Sequence, residues 1–143
     1  MATRDGSAEW RGNLKDGSGT VSVASGLFSG RYSFATRFED EPGTNPEELI
    51  GAAHAACYSM ALSGILSEAG HAPESVKTTA KVHLRRLDAG PTIAQIDLVT
   101  EGRVPGIGQE EFAAYAAKAK AGCPVSRALG AVGEITVDAK LVG

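Results

Sequence analysis

The chain has 143 residues, 43% hydrophobic and 22% charged, which allows one sizeable hydrophobic core and argues against a disordered tract. A formal net charge of −3 gives no basic footprint for nucleic acid or for an anionic membrane surface. The polar opening MATRDGSAEWRGN lacks an apolar h-region, and no stretch is read as approaching 18 uncharged apolar residues, so no membrane partner and a cytoplasmic setting are expected.

From Ala8 to Phe38 the chain reads as a β-meander. Ser18–Gly26 and Arg31–Phe38 are rich in β-branched and aromatic residues, with Gly, Ser, Asn and Asp turns between the pieces. After the polar loop Glu39–Asn45, a helix begins: Asn45 suits the N-cap, Pro46 the first helical position, and Glu48 completes an Asn-x-x-Glu capping box. Gly70 ends it, with Pro73 beyond. Ser75–Asp88 and Thr92–Val104 alternate around a Gly-Pro turn and predict a long hairpin. Gln109–Ala121 predicts a second helix, Pro124 restarts a short third one with Cys123 near its N-cap, and Glu134–Val142 is a last strand. The order βββ-α-ββ-α-β is α+β, and with no repeat, linker or low-complexity tract it predicts one domain over residues 1–143.

The first helix has no polar face between Leu49 and Leu66, where His54 is the only titratable side chain besides Cys57. Such a helix is covered on all sides. A second subunit over the small residues Gly51, Ala52, Ala55 and Ala56 is the expected cover, the alternative being that both sheets of one chain wrap the helix. The only other cysteine is Cys123. Free cysteines are commonly inert core residues, whereas a helix N-terminus or a nearby cation makes a thiol reactive. On these grounds alone, a redox pair and two bystanders stand about equal.

The stretches TRFEDEPGTNPEELIGAAHAACYSMAL (Thr36–Leu62) and AKAGCPVS (Ala119–Ser126) closely resemble the OsmC/Ohr family of osmotically inducible and organic-hydroperoxide-resistance proteins, nearest the OsmC branch. The resemblance implies an intertwined homodimer with two long central helices held between sheets. It also implies a hydroperoxide reductase that works through cysteine, without cofactor, metal or haem. Carried over by position, Cys57 matches the peroxidatic cysteine, Cys123 the resolving one, Arg37 the arginine before the helix, and Glu47 its carboxylate partner. Glu48 is the competing carboxylate, with the capping box as its structural role.

These roles make chemical sense. A thiol at its ordinary pKa of about 8.5 is only slightly ionised at neutral pH. A guanidinium favours the thiolate, keeps its own proton and can stabilise a leaving alkoxide. The attacked Cys57 would become a sulfenic acid, Cys123 would condense with it to a disulfide, and an external dithiol, on a thioredoxin-like or lipoyl protein, would restore both thiols. Glu47 and Cys57 stand ten residues apart, so a continuous helix separates them by roughly 15 Å and about 80° in direction. A site shared across a dimer is therefore expected, with at least one of Arg37 and Glu47 from the other chain. The competing function is a redox sensor or binding module whose Cys57–Cys123 bridge alters a surface without turnover. A permanent structural disulfide is the third reading.

The remaining residues read plainly. His54 is taken as a satisfied buried histidine in preference to a base for Cys57. The scattered histidines and cysteines have no zinc-ligand spacing. Arg103–Gly108 and Gly17–Gly19 are turns, Arg85-Arg86 is a solvated strand end, and Tyr58, Met60, Phe38 and Phe112 are core residues.

Overall fold

Short strands with turn chemistry between them build the first part of the chain. A computed structural model describes residues 2–143 and divides into two units, Met1–Leu49 and Ile50–Gly143. In the first unit, β1 (Gly6–Arg11), β2 (Ser18–Val23) and β3 (Ser29–Tyr32) form an antiparallel meander in that order. The Trp10 indole donates to the Gly12 and Asn13 carbonyls at 3.1 and 3.2 Å, closing the first turn. Its ring lies 5.4 Å from that of Tyr32. Tyr32 covers Gly19 so closely that a Cβ there would stand 2.5 Å from its ring, which explains the glycine.

The reading of Arg31–Phe38 as one strand is corrected here. The strand ends at Tyr32, and Phe34–Phe38 forms the short helix α1. Ser33 Oγ accepts the Thr36 amide at 3.2 Å, and Thr36 Oγ1 accepts the Ser33 amide at 2.8 Å. This reciprocal cap satisfies the first amides of the turn, and it outweighs the strand preference of the aromatic residues.

Helix α2 (Pro46–Glu68) starts where its caps place it, with Asn45 Oδ1 accepting the Glu48 amide at 2.8 Å. It ends in a Schellman motif: Gly70 has φ +86°, the His71 amide donates to the Leu66 carbonyl at 2.8 Å, and the Gly70 amide donates to Ser67 at 3.0 Å. By length and composition α2 is apolar enough to cross a membrane, contrary to the expectation that no stretch approaches this.

The second unit holds most of α2 and a sheet of order β4-β5-β6. Strands β4 (Ser75–Leu87) and β5 (Gly90–Arg103) form the expected hairpin, with a register shift at His83/Leu84. Helices α3 (Gln109–Gly122) and α4 (Pro124–Ala128) carry the chain back to β6 (Glu134–Leu141), which pairs parallel to β5. A parallel partner requires such a helical crossover. Gln109, the first residue of α3, clamps β6 by donating to Ala139 O at 2.8 Å and accepting the Leu141 amide at 2.7 Å. The fold class is α+β as expected, with the short α1 added to the predicted order.

Buried residues of α2 recur at Gly51, His54, Tyr58, Leu62 and Leu66, a single stripe at helical spacing. Tyr58, Leu62 and Leu66 pack with Ile96 and Leu98 of β5, Phe112, Ala116 and Ala119 of α3, and Cys123. Gly51 lets the helix approach β4 closely, since a Cβ there would meet the Ala80 carbonyl at 3.1 Å. Ala52, Ala53, Ala56, Met60 and Gly64 lie exposed on other faces of α2, Met60 at 77%. Tyr58 and Phe112 are core residues as expected, whereas Met60 and Phe38 are not buried within one chain.

Two stability predictions follow from this packing. A Cβ at Gly102 would stand 2.5 Å from the Phe112 ring. Gly102→Ala should therefore cost about 1–3 kcal/mol through overpacking, read as a lower urea midpoint at unchanged slope. The second concerns Asp97, which accepts from Thr136 Oγ1 at 2.7 Å, Gln95 Nε2 at 2.7 Å and His83 Nε2 at 2.8 Å. The Thr136 hydroxyl foremost, then Gln95 and His83, hold its carboxyl down at about 2. A depressed carboxylate pKa adds stability above its unfolded value of about 3.9 and loses it as pH falls through the folded value. Asp97→Asn should lower the melting temperature at pH 7, and the gap to the parent chain should close between about pH 4 and pH 2. A gap unchanged at pH 2 would contradict this assignment.

Candidate active site

The residues expected to carry chemistry assemble as two pairs, each inside its own unit. The first is Arg37 with Glu47. Arg37 sits in the last turn of α1, whose end is held because Asn45 Nδ2 donates to the Thr36 carbonyl at 3.0 Å. Glu47 lies in the first turn of α2. Arg37 Nη2 donates to Glu47 Oε1 at 2.7 Å, and Nε donates to both carboxylate oxygens at 3.2 Å. This fork fixes the guanidinium plane more firmly than a single contact would. Of the two candidate carboxylates, Glu47 is buried and paired with Arg37, while Glu48 is exposed and lends its amide to the cap. The Arg37 side chain remains 35% exposed, so one edge of the cation stays open to an incoming molecule.

The second pair is Cys57 with Cys123. Cys57 is half-buried in mid-α2, Cys123 is fully buried, and both are free thiols. Cys123 lies between two helices. Its amide donates to Ala119 O at 2.8 Å to finish α3, and Pro124 opens α4 with Cys123 as its N-cap residue. That position sets the sulfur near the Val125 and Ser126 amides and the Ser126 hydroxyl, although the amides do not complete a capping bond. The two thiols are neighbours that influence each other's ionisation.

Their thiols shift in opposite directions. Burial pushes Cys57 up, the Val125 amide draws it partly back, and the Cys123 sulfur pushes it up again. Burial also disfavours charge on Cys123, but the Ser126 amide and hydroxyl, the Cys57 thiol and the Val125 amide outweigh it and bring that thiol down. The two thiols titrate as a coupled pair, with the Ser126 and Val125 groups favouring charge on Cys123 and burial opposing it on Cys57. No cation contributes to the shift of Cys57 among the described residues. Desolvation without a positive partner is what a guanidinium would have to overcome.

Two further residues stand beside the thiols. His54 is fully buried, and its Nε2 lies 2.7 Å from Ser126 Oγ, while its Nδ1 has no hydrogen-bond partner among the described residues. The expected satisfied histidine is thus only half satisfied. Sequence reasoning did not single out Ser126. Its signal was the spacing Cys-Pro-x-Ser, which puts a hydroxyl at the third position of the turn that Cys123 opens. No group of three or more His, Cys, Asp or Glu side chains capable of holding a metal occurs among the described residues.

The family model described as "OsmC-like protein" matches residues 38–138. The chain is 56% identical over 139 residues to "Peroxiredoxin OsmC" of Escherichia coli (strain K12), covering 96% of each chain. Among solved structures, an organic hydroperoxide resistance protein from Elizabethkingia anophelis superposes with a TM-score of 0.75 at 24% identity, covering 100% of this chain and 97% of that one. An OsmC-like protein from Mycoplasma pneumoniae gives 0.75 at 18% identity, covering 99% of both chains, which extends the same fold to more distant sequences. The chain belongs to the OsmC-like protein family.

Proposed function

We propose that this protein is a thiol peroxidase that reduces organic hydroperoxides, and hydrogen peroxide, to alcohols or water. The observation that carries the reading is the adjacency of Cys57 and Cys123 in a chain 56% identical to a protein named a peroxiredoxin. Cys57 is the nucleophile. Its thiolate attacks one peroxide oxygen in line with the O–O bond, the distal oxygen leaves as alkoxide or hydroxide, and the sulfur becomes a sulfenic acid. Arg37, oriented by Glu47, keeps the attacking sulfur ionised and neutralises the departing oxygen. Cys123 then attacks the Cys57 sulfur, giving a disulfide and water before further peroxide can over-oxidise it. An external dithiol, of thioredoxin-like or lipoyl type, reopens the bridge by exchange, which suits a reducing compartment such as the cytoplasm. No resident cofactor has a role in this cycle.

The working form is a homodimer built over the whole chain as one OsmC-like domain. The exposed small residues Ala52, Ala53, Ala56 and Gly64, with Met60 beside them, offer α2 of a second copy a close approach. The helical offset between Glu47 and Cys57 points the same way, so the cation reaching Cys57 comes from the second copy. Met60→Asp should shift the sedimenting species from dimer to monomer and lower peroxidase activity with it. A dimer unchanged by that substitution would argue against this face.

The test of function is consumption of cumene and tert-butyl hydroperoxide with excess dithiothreitol. Sustained turnover supports the enzyme. Oxidation that halts after one equivalent of peroxide would favour the sensor, whose bridge forms once and then signals.

A further inference from the structure

We propose that Ser126 and His54 form a proton relay for Cys123, making the resolving step an assisted one. This inference rests on the peroxidase reading and adds a function to a histidine and a serine that the cycle above does not use. The geometry is a line of three groups inside one unit, with Cys123 and Ser126 at the start of α4 and His54 on α2. Ser126 Oγ lies 2.7 Å from His54 Nε2, and the same hydroxyl acts on the Cys123 sulfur. The serine hydroxyl has one proton and can direct it to only one neighbour at a time. When Cys123 is a thiol, its S–H can donate to Ser126 Oγ while the hydroxyl donates to Nε2. When Cys123 is a thiolate, the hydroxyl turns to the sulfur and Nε2–H donates to Ser126 Oγ. In either state the hydroxyl can bridge the sulfur and Nε2, so the proton can move two positions along the line.

In the resolving step the Cys123 S–H proton passes to Ser126 Oγ, and the hydroxyl proton passes to His54 Nε2. The Cys123 thiolate attacks the Cys57 sulfur of the sulfenic acid. A sulfur–sulfur bond forms, the sulfur–oxygen bond breaks, and the leaving hydroxide takes up a proton from the buffer as water, while the thiol's own proton stays on His54. Cys57 is reduced and Cys123 oxidised by one unit each, so no outside oxidant enters at this step. When an external dithiol later attacks the Cys57 sulfur of the bridge, Cys123 leaves as a thiolate and takes its proton back along the same line.

The burial of His54 suits this role. Its Nδ1 has no partner among the described residues, so no carboxylate fixes it as an imidazolium. Burial alone lowers its pKa, without a contribution from any cation or carboxylate, which leaves the ring neutral and receptive near neutral pH. The titratable groups linked to it by helix spacing or through Ser126 are Cys57, Cys123 and Tyr58, whose hydroxyl is occupied in donating to Ala116 O at 2.8 Å. A purely structural histidine would gain nothing from an orphaned buried ring nitrogen.

The test is single-turnover kinetics with one equivalent of cumene hydroperoxide, following peroxide loss and disulfide formation separately in the parent chain, His54→Gln, Ser126→Ala and Ser126→Thr. The proposal expects disulfide formation to slow on the order of 10²-fold relative to peroxide loss in His54→Gln and Ser126→Ala. Ser126→Thr, which keeps the hydroxyl, should retain the parent ratio. The pH profile provides a readout that loosened packing would not imitate. Disulfide formation in the parent should stay level until pH falls below the ordinary imidazole range of about 6.5. In the two relay variants it should instead climb with pH towards the thiol range near 8.5. A parent-like ratio and profile in Ser126→Ala would overturn the relay, even if His54→Gln fails to fold. If the parent consumes no peroxide, the peroxidase reading falls separately. Diamide oxidation of the same dithiols then decides the relay by the same contrast between Ser126→Ala and Ser126→Thr.

Discussion

Cys57→Ser should abolish hydroperoxide turnover, with a loss on the order of 10³-fold or more, because no other sulfur can begin the reaction. The two cysteines should fail differently. Cys123 is fully buried whereas Cys57 is half-exposed, so Cys123 cannot replace Cys57 as the first attacker. Cys123→Ser should still consume a first equivalent of peroxide, accumulate Cys57 sulfenic acid and advance to the sulfinic acid under excess peroxide. Steady-state assays with dithiothreitol would record both losses, and trapping with dimedone would tell them apart. Equal dimedone labelling of the parent and Cys57→Ser would remove Cys57 from the role of nucleophile. A chain lacking Cys123 that cycles as fast as the parent, with no over-oxidation, would remove the resolving thiol.

Arg37→Ala should lower kcat/KM by about 10²–10³-fold, the loss typical of removing a donor from a developing oxyanion. The effect should be large because burial, the strongest influence on Cys57 within its own unit, and the Cys123 sulfur together outweigh the Val125 amide that favours the thiolate, leaving the thiol pushed up. The cation must therefore supply ionisation as well as stabilise the leaving oxygen. Arg37→Lys should rescue little, since an ammonium cannot reproduce the fork to Glu47 formed by Nη2 at 2.7 Å and Nε at 3.2 Å. Glu47→Gln should cost less than Arg37→Ala, because it loosens the guanidinium without removing its charge. Alkylation by iodoacetamide across pH supplies the independent measurement. The Cys57 thiol should titrate at higher pH in Arg37→Ala than in the parent, and an unchanged titration would separate Arg37 from the thiolate.

Local chemistry made much of the fold legible. Asn45, Pro46 and Gly70 mark the ends of α2 because caps and left-handed turns are decided within a few residues. The β4–β5 hairpin and the restart of α4 at Pro124 could be read for the same reason. Helix α1 was not read, because its reciprocal cap uses Thr36 where Glu or Gln is the usual signal, and the aromatic residues Tyr32, Phe34 and Phe38 favour a strand. The parallel pairing of β6 with β5 depends on where α3 and α4 return the chain, which periodicity does not encode.

The site divides along the same line. Cys57 and Cys123 stood out because thiols are scarce here, and Arg37 and Glu47 because they fall in a recognisable motif. The bond between His54 and Ser126 joins residues 72 positions apart and arises only from the packing of α2 beside α4. A buried histidine near a cysteine was visible in the sequence; its half-satisfied ring was not.

The most direct measurement is peptide-mapping mass spectrometry of the reduced protein after one equivalent of cumene hydroperoxide, quenched with an alkylating agent. The account predicts a Cys57–Cys123 cross-linked peptide, lighter than its reduced parts by two hydrogen atoms, with neither cysteine alkylated. Alkylated Cys57 and Cys123 recovered intact while peroxide disappears, or oxidation confined to other residues, would contradict it.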